Sequence, residues 1–329
     1  MYNSKLFAIL PDYIVTPDGM EVDRHGNLVL SCPNFADDSV PGVVVRFDKD
    51  RNISKWFEVP VHPEIGVARN MGICFDEDYN IYIVDNPGWK ADRPDWANKG
   101  RILKVTVDDD GNILSWKTIA TGMEHPNGIK YHNGYLYVTE SSMTPVKDPS
   151  GKLVSGIYRF SPDEENIEIT NTLEDKNLID WYITNDPDCQ YGLDGIVFDA
   201  EGNLFVGNFG DGEIWKIELD ENGLVKSKKP FAKDPKQLKS TDGMFIDKDG
   251  MMYIADFSAN AICRMTPDGK LERIAESPDS DGLHGELDQP GEPIVWNGLL
   301  IASCFDLVTD PGKVNTQHEL PATMACIEL

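Results

Sequence analysis

The sequence predicts an all-β fold, a six-bladed β-propeller with four-stranded antiparallel blades around a central tunnel, and three observations lead there. A motif of polar residue, glycine, apolar run, turn and second apolar run recurs along the 329 residues. Its repeats begin 48 to 67 residues apart, enough for a small sheet each. Prolines and glycines interrupt nearly every helical candidate, leaving "TNTLEDKNLIDWYI" as the one stretch with room for a turn or two of helix.

In order, the motif reads "PDGMEVDRHGNLVLS" from Pro17, "MGICF…IYIVD" from Met71, "NGIKY…LYVTE" from Asn127, "LDGIVFDAEGNLFVGNF" from Leu193, "TDGMFIDKDGMMYIADF" from Thr241 and "GEPIVWNGLLIAS" from Gly291. Two apolar runs around a turn make a hairpin. Further strands complete the units, as "GVVVRFD" and "ISKWFEV" do in the first, "GRILKVTVD" and "LSWKTIA" in the second and "GEIWKIEL" in the fourth. N-terminal "LFAILPDYIV" beside C-terminal "MACIEL" closes the ring, so residues 1–329 are expected to form one propeller domain. A β-sandwich has turns at similar intervals but gives no reason for a polar residue to recur beside glycine.

Acids outnumber bases 56 to 30, for a net charge of -26. That charge disfavours nucleic acid and anionic lipid as partners and leaves a small-molecule substrate as the expectation, with oligomeric state open. No run approaches the length of an apolar membrane span, and the first residues lack a basic region before a long apolar core, so a cytoplasmic protein is expected. The six cysteines show no C-x-x-C spacing and read as reduced, buried, structural thiols. The acid-rich "VDDDGNILSW" lacks the closing Glu of an EF-hand and reads as a hairpin turn.

Aligned on the glycine, the recurring position holds Asp18, Met71, Asn127, Asp194 and Asp242, with Glu292 taken as the sixth. In a propeller these residues open the innermost strands and converge on the axis. Converging carboxylates repel by roughly a kcal/mol or more per close pair, so a cation must offset them. Oxygen donors without convergent His or Cys suit a hard cation, calcium first, with Mn²⁺, Mg²⁺ or Zn²⁺ as alternatives. The competing account is that Asp before Gly only shapes a turn; recurrence in phase argues against it.

These residues and this repeat resemble the regucalcin and gluconolactonase (senescence marker protein) family, six-bladed propellers that include sugar lactonases, and their relative diisopropyl fluorophosphatase. The resemblance implies a divalent cation, usually calcium, held by Asp18 in "PDGMEVD", Asn127 in "HPNGIKY", Asp194 in "LDGIVFD" and Asp242 in "TDGMFID". It departs from that family at Asp18, where Glu is usual, and at Asp194, where a neutral Asn is usual. The shorter Asp18 brings direct coordination into question, and Asp194 adds charge that tightens a cation while lowering its Lewis acidity.

The expected activity is hydrolysis of a lactone or related cyclic ester by a metal-polarised carbonyl and carboxylate-assisted water attack, with Asp242 as base or nucleophile and His125 as an alternative base. Phosphotriesterase or arylesterase activity at the same centre, and a non-catalytic propeller with a structural ion, are the competing readings. Strictosidine synthase-like propellers share the repeat, but the aligned oxygen donors argue against them. Trp89, Trp96, Tyr191, Asn208, His284 and Glu292 are candidate substrate contacts. The insertions "DNPGWKADRPDWANKGR", "ESSMTPVKDPSGKL" and "LIDWYITNDPDCQYG" are candidate pocket walls. Asn34, Asp85, Glu140, Asn208 and Asp256, at the far ends of the second strands, form a second tier. No G-x-S-x-G elbow or phosphate-binding glycine loop occurs.

Overall fold

Short Asp-centred turns cut this chain into strands. Asp23 accepts the backbone N–H groups of His25 and Asn27, each at 2.9 Å. Asp48, Asp76, Asp108, Asp199, Asp220 and Asp247 close their hairpins by the same bond to the N–H four residues on. Much of the acidity is thus turn chemistry, and "VDDDGNILSW" is one of these turns.

The computed structural model describes residues 1–90 and 92–329. Their strands form six antiparallel sheets. Blade one comprises Met20–Val22, Leu28–Cys32, Val43–Phe47 and Ile53–Glu58, and blade two Asn70–Phe75, Ile81–Asp85, Gly100–Val107 and Ile113–Met123. Blade three comprises Pro126–His132, Tyr135–Glu140, Val154–Phe160 and Leu178–Ile183; blade four Leu193–Phe198, Leu204–Asn208, Glu213–Leu219 and Val225–Lys233. Blade five holds Met244–Ile246, Met252–Asp256, Ala261–Met265 and Leu271–Glu276. Blade six holds Pro290–Trp296, Leu299–Cys304 and Thr323–Glu328, and Ser4–Ile9 from the N-terminus is its outer strand, closing the ring as expected. The first strands of successive blades touch in an unbroken circle, with Met20–Val22 meeting both Asn70–Phe75 and Pro290–Trp296.

Two expectations need correction. The helical candidate "TNTLEDKNLIDWYI" contains no helix; its last six residues, rich in β-branched and aromatic side chains, form the outer strand Leu178–Ile183 of blade three. Blade two gains a fifth strand, Ile167–Glu168, which pairs in parallel with Ala120 and Thr121.

Apolar residues between the sheets make the core. Phe7 ties the last blade to the first, its ring centroid 5.5 Å from Phe47 and 6.1 Å from Trp296. All six cysteines are free thiols, five of them buried; Cys189 instead lies half-buried in a loop. No helix among the described residues is long and apolar enough to cross a membrane.

Candidate active site

Each innermost strand opens with a bulge, and the bulge explains the recurring polar-glycine pair. Asp18 donates its N–H to Ser31 O at 2.9 Å while Ser31 donates back to Gly19 O at 2.8 Å, so two residues oppose one. Asp242 and Gly243 straddle Ala255 in the same way, and the pairings of blades two, three, four and six skip a residue at the matching place. A bulge re-aims the side chain it carries, here into the tunnel.

The glycine is required by the neighbouring blade. A Cβ at Gly19, Gly72, Gly128 or Gly195 would lie 2.7, 2.6, 2.7 or 2.2 Å from the carbonyl oxygen of the next blade's ring residue. The ring can be this tight only where these positions lack side chains.

The same register corrects the sixth position. Pro290 pairs with Cys304 as Leu193 pairs with Asn208, so Gly291 takes the ring place and Glu292 the glycine place. Glu292 therefore projects into the tunnel beyond the ring, where its carboxylate would abut a Cβ at Gly243. There it faces Lys130, whose Nζ pairs with Glu21 at 3.0 Å. Burial works against the charge of Lys130, but Glu21 and Glu292 outweigh it and raise its pKa. Lys130, a tunnel cation in "GIKY", went unnoticed in the sequence; it stands three residues past Asn127, as Glu21 does past Asp18.

A second recurrent device positions the ring residues. Asp85 accepts the N–H of Arg69 at 2.5 Å, Glu140 that of Glu124 at 3.1 Å and also that of His125, and Asp256 those of Lys239 and Ser240 at 2.9 and 3.0 Å. Asn34 does the same for Val15 and Thr16. In each of these blades the second strand's far end thus clasps the backbone two or three residues before the ring position. Asn208 instead bonds Thr184 Oγ1 and Ile183 O at 3.0 Å each. All five second-tier residues are fully buried, so the expected substrate contact at Asn208 is corrected to a structural one.

Asp18, Asn127, Asp194 and Asp242 come together as the floor of a cavity of about 770 Å³. Asn127 Nδ2 donates to Asp194 Oδ2 at 2.7 Å. Asp18 and Asp194 are buried and Asp242 is partly open to the cavity. Burial pushes the Asp18 carboxyl up to about 7 and, with the Asp18 charge adding, that of Asp194 to about 8. Asp242 is raised well above the carboxylate range by burial and then by Asp194 and Asp18. None of the three is in an ion pair among the described residues. Acids held this close without a protein counter-charge, beside an amide and with no imidazole or thiol in the ring, fit a hard divalent cation. Met71 and Gly291 leave the remaining two places without donors.

His125, Trp89 and Tyr191 line the same cavity. Burial lowers the His125 pKa, against the opposing charge of Glu124, and its Nδ1 is buried without a partner. Trp96 and His284 do not reach the cavity. Trp96 is fully buried beneath Arg93, whose guanidinium lies 3.9 Å from its ring centroid, and packs the insertion rather than a ligand. His284 is exposed, in a turn where its N–H bonds Glu286 at 3.0 Å. All three candidate wall insertions contribute, through Asn86 and Trp89, Ser141, and Pro187 to Tyr191; Ala91, in the first, lies outside the described residues.

Two parts of the cavity were missed. Segment 305–313, with Phe305, Val308 and Asp310 to Lys313, forms a fourth wall. Above the acid floor runs an aromatic collar whose successive centroids lie 4.7 Å apart for Phe35 and Trp89, 5.6 Å for Trp89 and Phe305, and 5.6 Å for Phe305 and Phe257. It continues to Phe209 at 5.7 Å and Tyr191 at 5.8 Å. Its signal was present in sequence: a Phe follows the second strand in "PNF", "GNF", "ADF" and "SCF".

Residues 210–282 match the family model described as SMP-30/Gluconolactonase/LRE-like region. No curated protein matches the sequence. Among solved structures, the chain is similar to a gluconolactonase from Xanthomonas campestris, at 14% identity and a TM-score of 0.56 over 99% of this chain and 91% of that one. It is similar to regucalcin, a calcium-binding protein from Agrobacterium tumefaciens, at 13% identity and a TM-score of 0.59 over 100% and 94%. Virginiamycin B lyase from Staphylococcus aureus matches at 13% identity and a TM-score of 0.58 over the whole of both chains. At such identities the likeness is one of fold, and the fold hosts different chemistries. Over residues 210–282, the segment that holds Asp242, the chain is similar to the SMP-30/gluconolactonase/LRE-like region.

Proposed function

We propose that the protein is a divalent-cation-dependent hydrolase of a lactone or related cyclic ester, with calcium the first choice of ion and Mn²⁺, Mg²⁺ or Zn²⁺ the alternatives. The observation that carries this reading is the group Asp18, Asn127, Asp194 and Asp242 at the floor of an open cavity, three carboxylates with no cationic side chain paired to them among the described residues.

A bound cation supplies charge that polarises a carbonyl and steadies the oxyanion formed when water adds. Asp18, Asn127, Asp194 and Asp242 would hold it, from blades one, three, four and five. Asp242, the ring acid most open to the cavity, accepts a proton from the attacking water. Neutral His125, on the cavity wall, is the alternative proton acceptor. The aromatic collar sheds water from the rest of the substrate. It also favours a second reading, hydrolysis of aryl esters or phosphotriesters at the same floor.

Lactone hydrolysis followed as proton release tests the proposal. Wild-type turnover should vanish on chelation and return with calcium or manganese, while Asp242→Asn should stay at least ~100-fold slower with metal restored. A protein that binds metal yet opens no lactone or aryl ester would be a non-catalytic propeller with a structural ion, and the hydrolase reading would fall.

A further inference from the structure

The rim of the cavity, opposite the acid floor, carries a cation. Lys313 reaches in from the loop after blade six's second strand, the fourth wall. Its Nζ donates to Ser258 Oγ at 3.0 Å and lies 3.8 Å from Cys189 Sγ. The ammonium stands 4.9 Å from the centroid of Phe209 and 6.0 Å from that of Phe257, two members of the collar. In a chain with 56 acids and 30 bases, most lining charges are negative, and Asp188 and Asp310 share the rim. No carboxylate comes within ion-pair distance of Lys313 among the described residues. The ammonium thus has one hydroxyl, one thiol and two aromatic faces, and donor capacity to spare.

We infer that Lys313 is an anion-recognising residue, and that the cavity takes a substrate with a flat, apolar body along the collar and an anionic substituent at the rim. The reacting carbonyl lies at the opposite end, over Asp18, Asn127, Asp194 and Asp242; only that end of the inference rests on the hydrolase reading. The apolar middle is the reason a hydroxyl-rich sugar lactone fits poorly. Burying its hydroxyls against Phe209, Phe257, Phe305 and Trp89 would leave them without hydrogen-bond partners. An aryl body instead gains ring contacts with the collar. The ammonium on its aromatic seat offers an anion a charge-assisted hydrogen bond in a partly desolvated site.

Binding of a coumarin sulfonate and of neutral coumarin, measured by calorimetry on the calcium-loaded chain, tests this without requiring turnover. Sulfonate is chosen because it competes weakly for calcium. Wild type should bind the sulfonate about tenfold or more tightly than coumarin, the scale of one charge-assisted bond. Lys313→Met should erase that preference while keeping coumarin affinity, and Lys313→Arg should retain most of it. A preference that survives in Lys313→Met, or equal binding of both probes to wild type, overturns the inference. If the preference is present but no lactone or ester is hydrolysed, the hydrolase reading fails and the anion site stands. If lactones are opened but Lys313→Met leaves anion preference unchanged, the reverse holds.

Discussion

Asp194 stands 67 residues from Asn127 in sequence, yet its Oδ2 takes that residue's amide proton at 2.7 Å. The cost of such convergence falls on the carboxyls. With Asp18 near 7 and Asp194 near 8, both well above the ordinary value near 4, the folded chain binds these protons more tightly than the unfolded chain does. The associated stability is complete at acid pH and is lost as pH rises through 7 and 8. Asp288, raised to about 8 by burial and by Asp306 and Glu319, contributes in the same direction; carboxylate oxygens of these three lie within 4.8 Å of one another. In chelator, therefore, the melting temperature should fall between pH 6 and 8.5, and saturating calcium should flatten that fall. Asp288→Asn removes that cluster's share, and the calcium-sensitive part of the dependence it leaves belongs to the tunnel acids. A chelated protein equally stable across this range would refute the raised carboxyls. The ring was legible in sequence because carboxylates recur beside glycine. Lys313 was not, since nothing about "PGKVN" tells which way a loop folds.

Among the strands, function depends on pieces that never touch a ligand. Asp256 is buried, accepts two backbone N–H groups just before Asp242 and pairs with Arg273 Nη2 at 2.8 Å. Removing it leaves two N–H donors unpaired and takes from the half-buried Arg273 one of its two carboxylates, Glu276 at 3.0 Å remaining. Asp256→Ala should therefore lower stability by roughly 2–4 kcal/mol in denaturant titration and weaken calcium binding by displacing Asp242. Unchanged calcium affinity in the folded variant would mean that the clasp does not set the ring. Gly195→Ala makes a complementary test. Its methyl would meet Asp242 O at 2.2 Å, and the forced shift should cost about 1–3 kcal/mol. The repeat marked these far-end residues as important but could not tell a clasp from a substrate contact. Burial and bond partners decide that, and both belong to the folded blade.

For the molecule as a whole, the ring is held shut by the first strand of the chain joining the last sheet. Ser4–Ile9 pairs with Thr323–Glu328, and Phe7 bridges onward to blade one. Phe7→Ala should cost about 3–5 kcal/mol, and its loss should be felt as cooperatively as any core change if the six blades unfold together. A separate early transition confined to blades one and six would show that closure is a weaker seam. This closure was readable beforehand, because "LFAIL" and "MACIEL" are the strand-like ends of a chain whose last unit lacked a strand.

The sequence by itself determined the class of fold, the number of blades, the closure and four of the five polar ring residues it aligned on the axis. These follow from local causes: a period of two in the strands, Asp-centred turns, and a glycine that recurs in five of the six blades where one blade's backbone meets the next. Tertiary structure alone decided the rest. It put Gly291 rather than Glu292 in the sixth place, because a bulge shifts register by one residue and register exists only between paired strands. It left Trp96 in a packed insertion and His284 in solvent, and it brought Phe209, Phe257, Phe305 and Trp89 into one collar beneath Lys313. Whether a side chain meets a ligand, a neighbour or water depends on what the rest of the chain places opposite it.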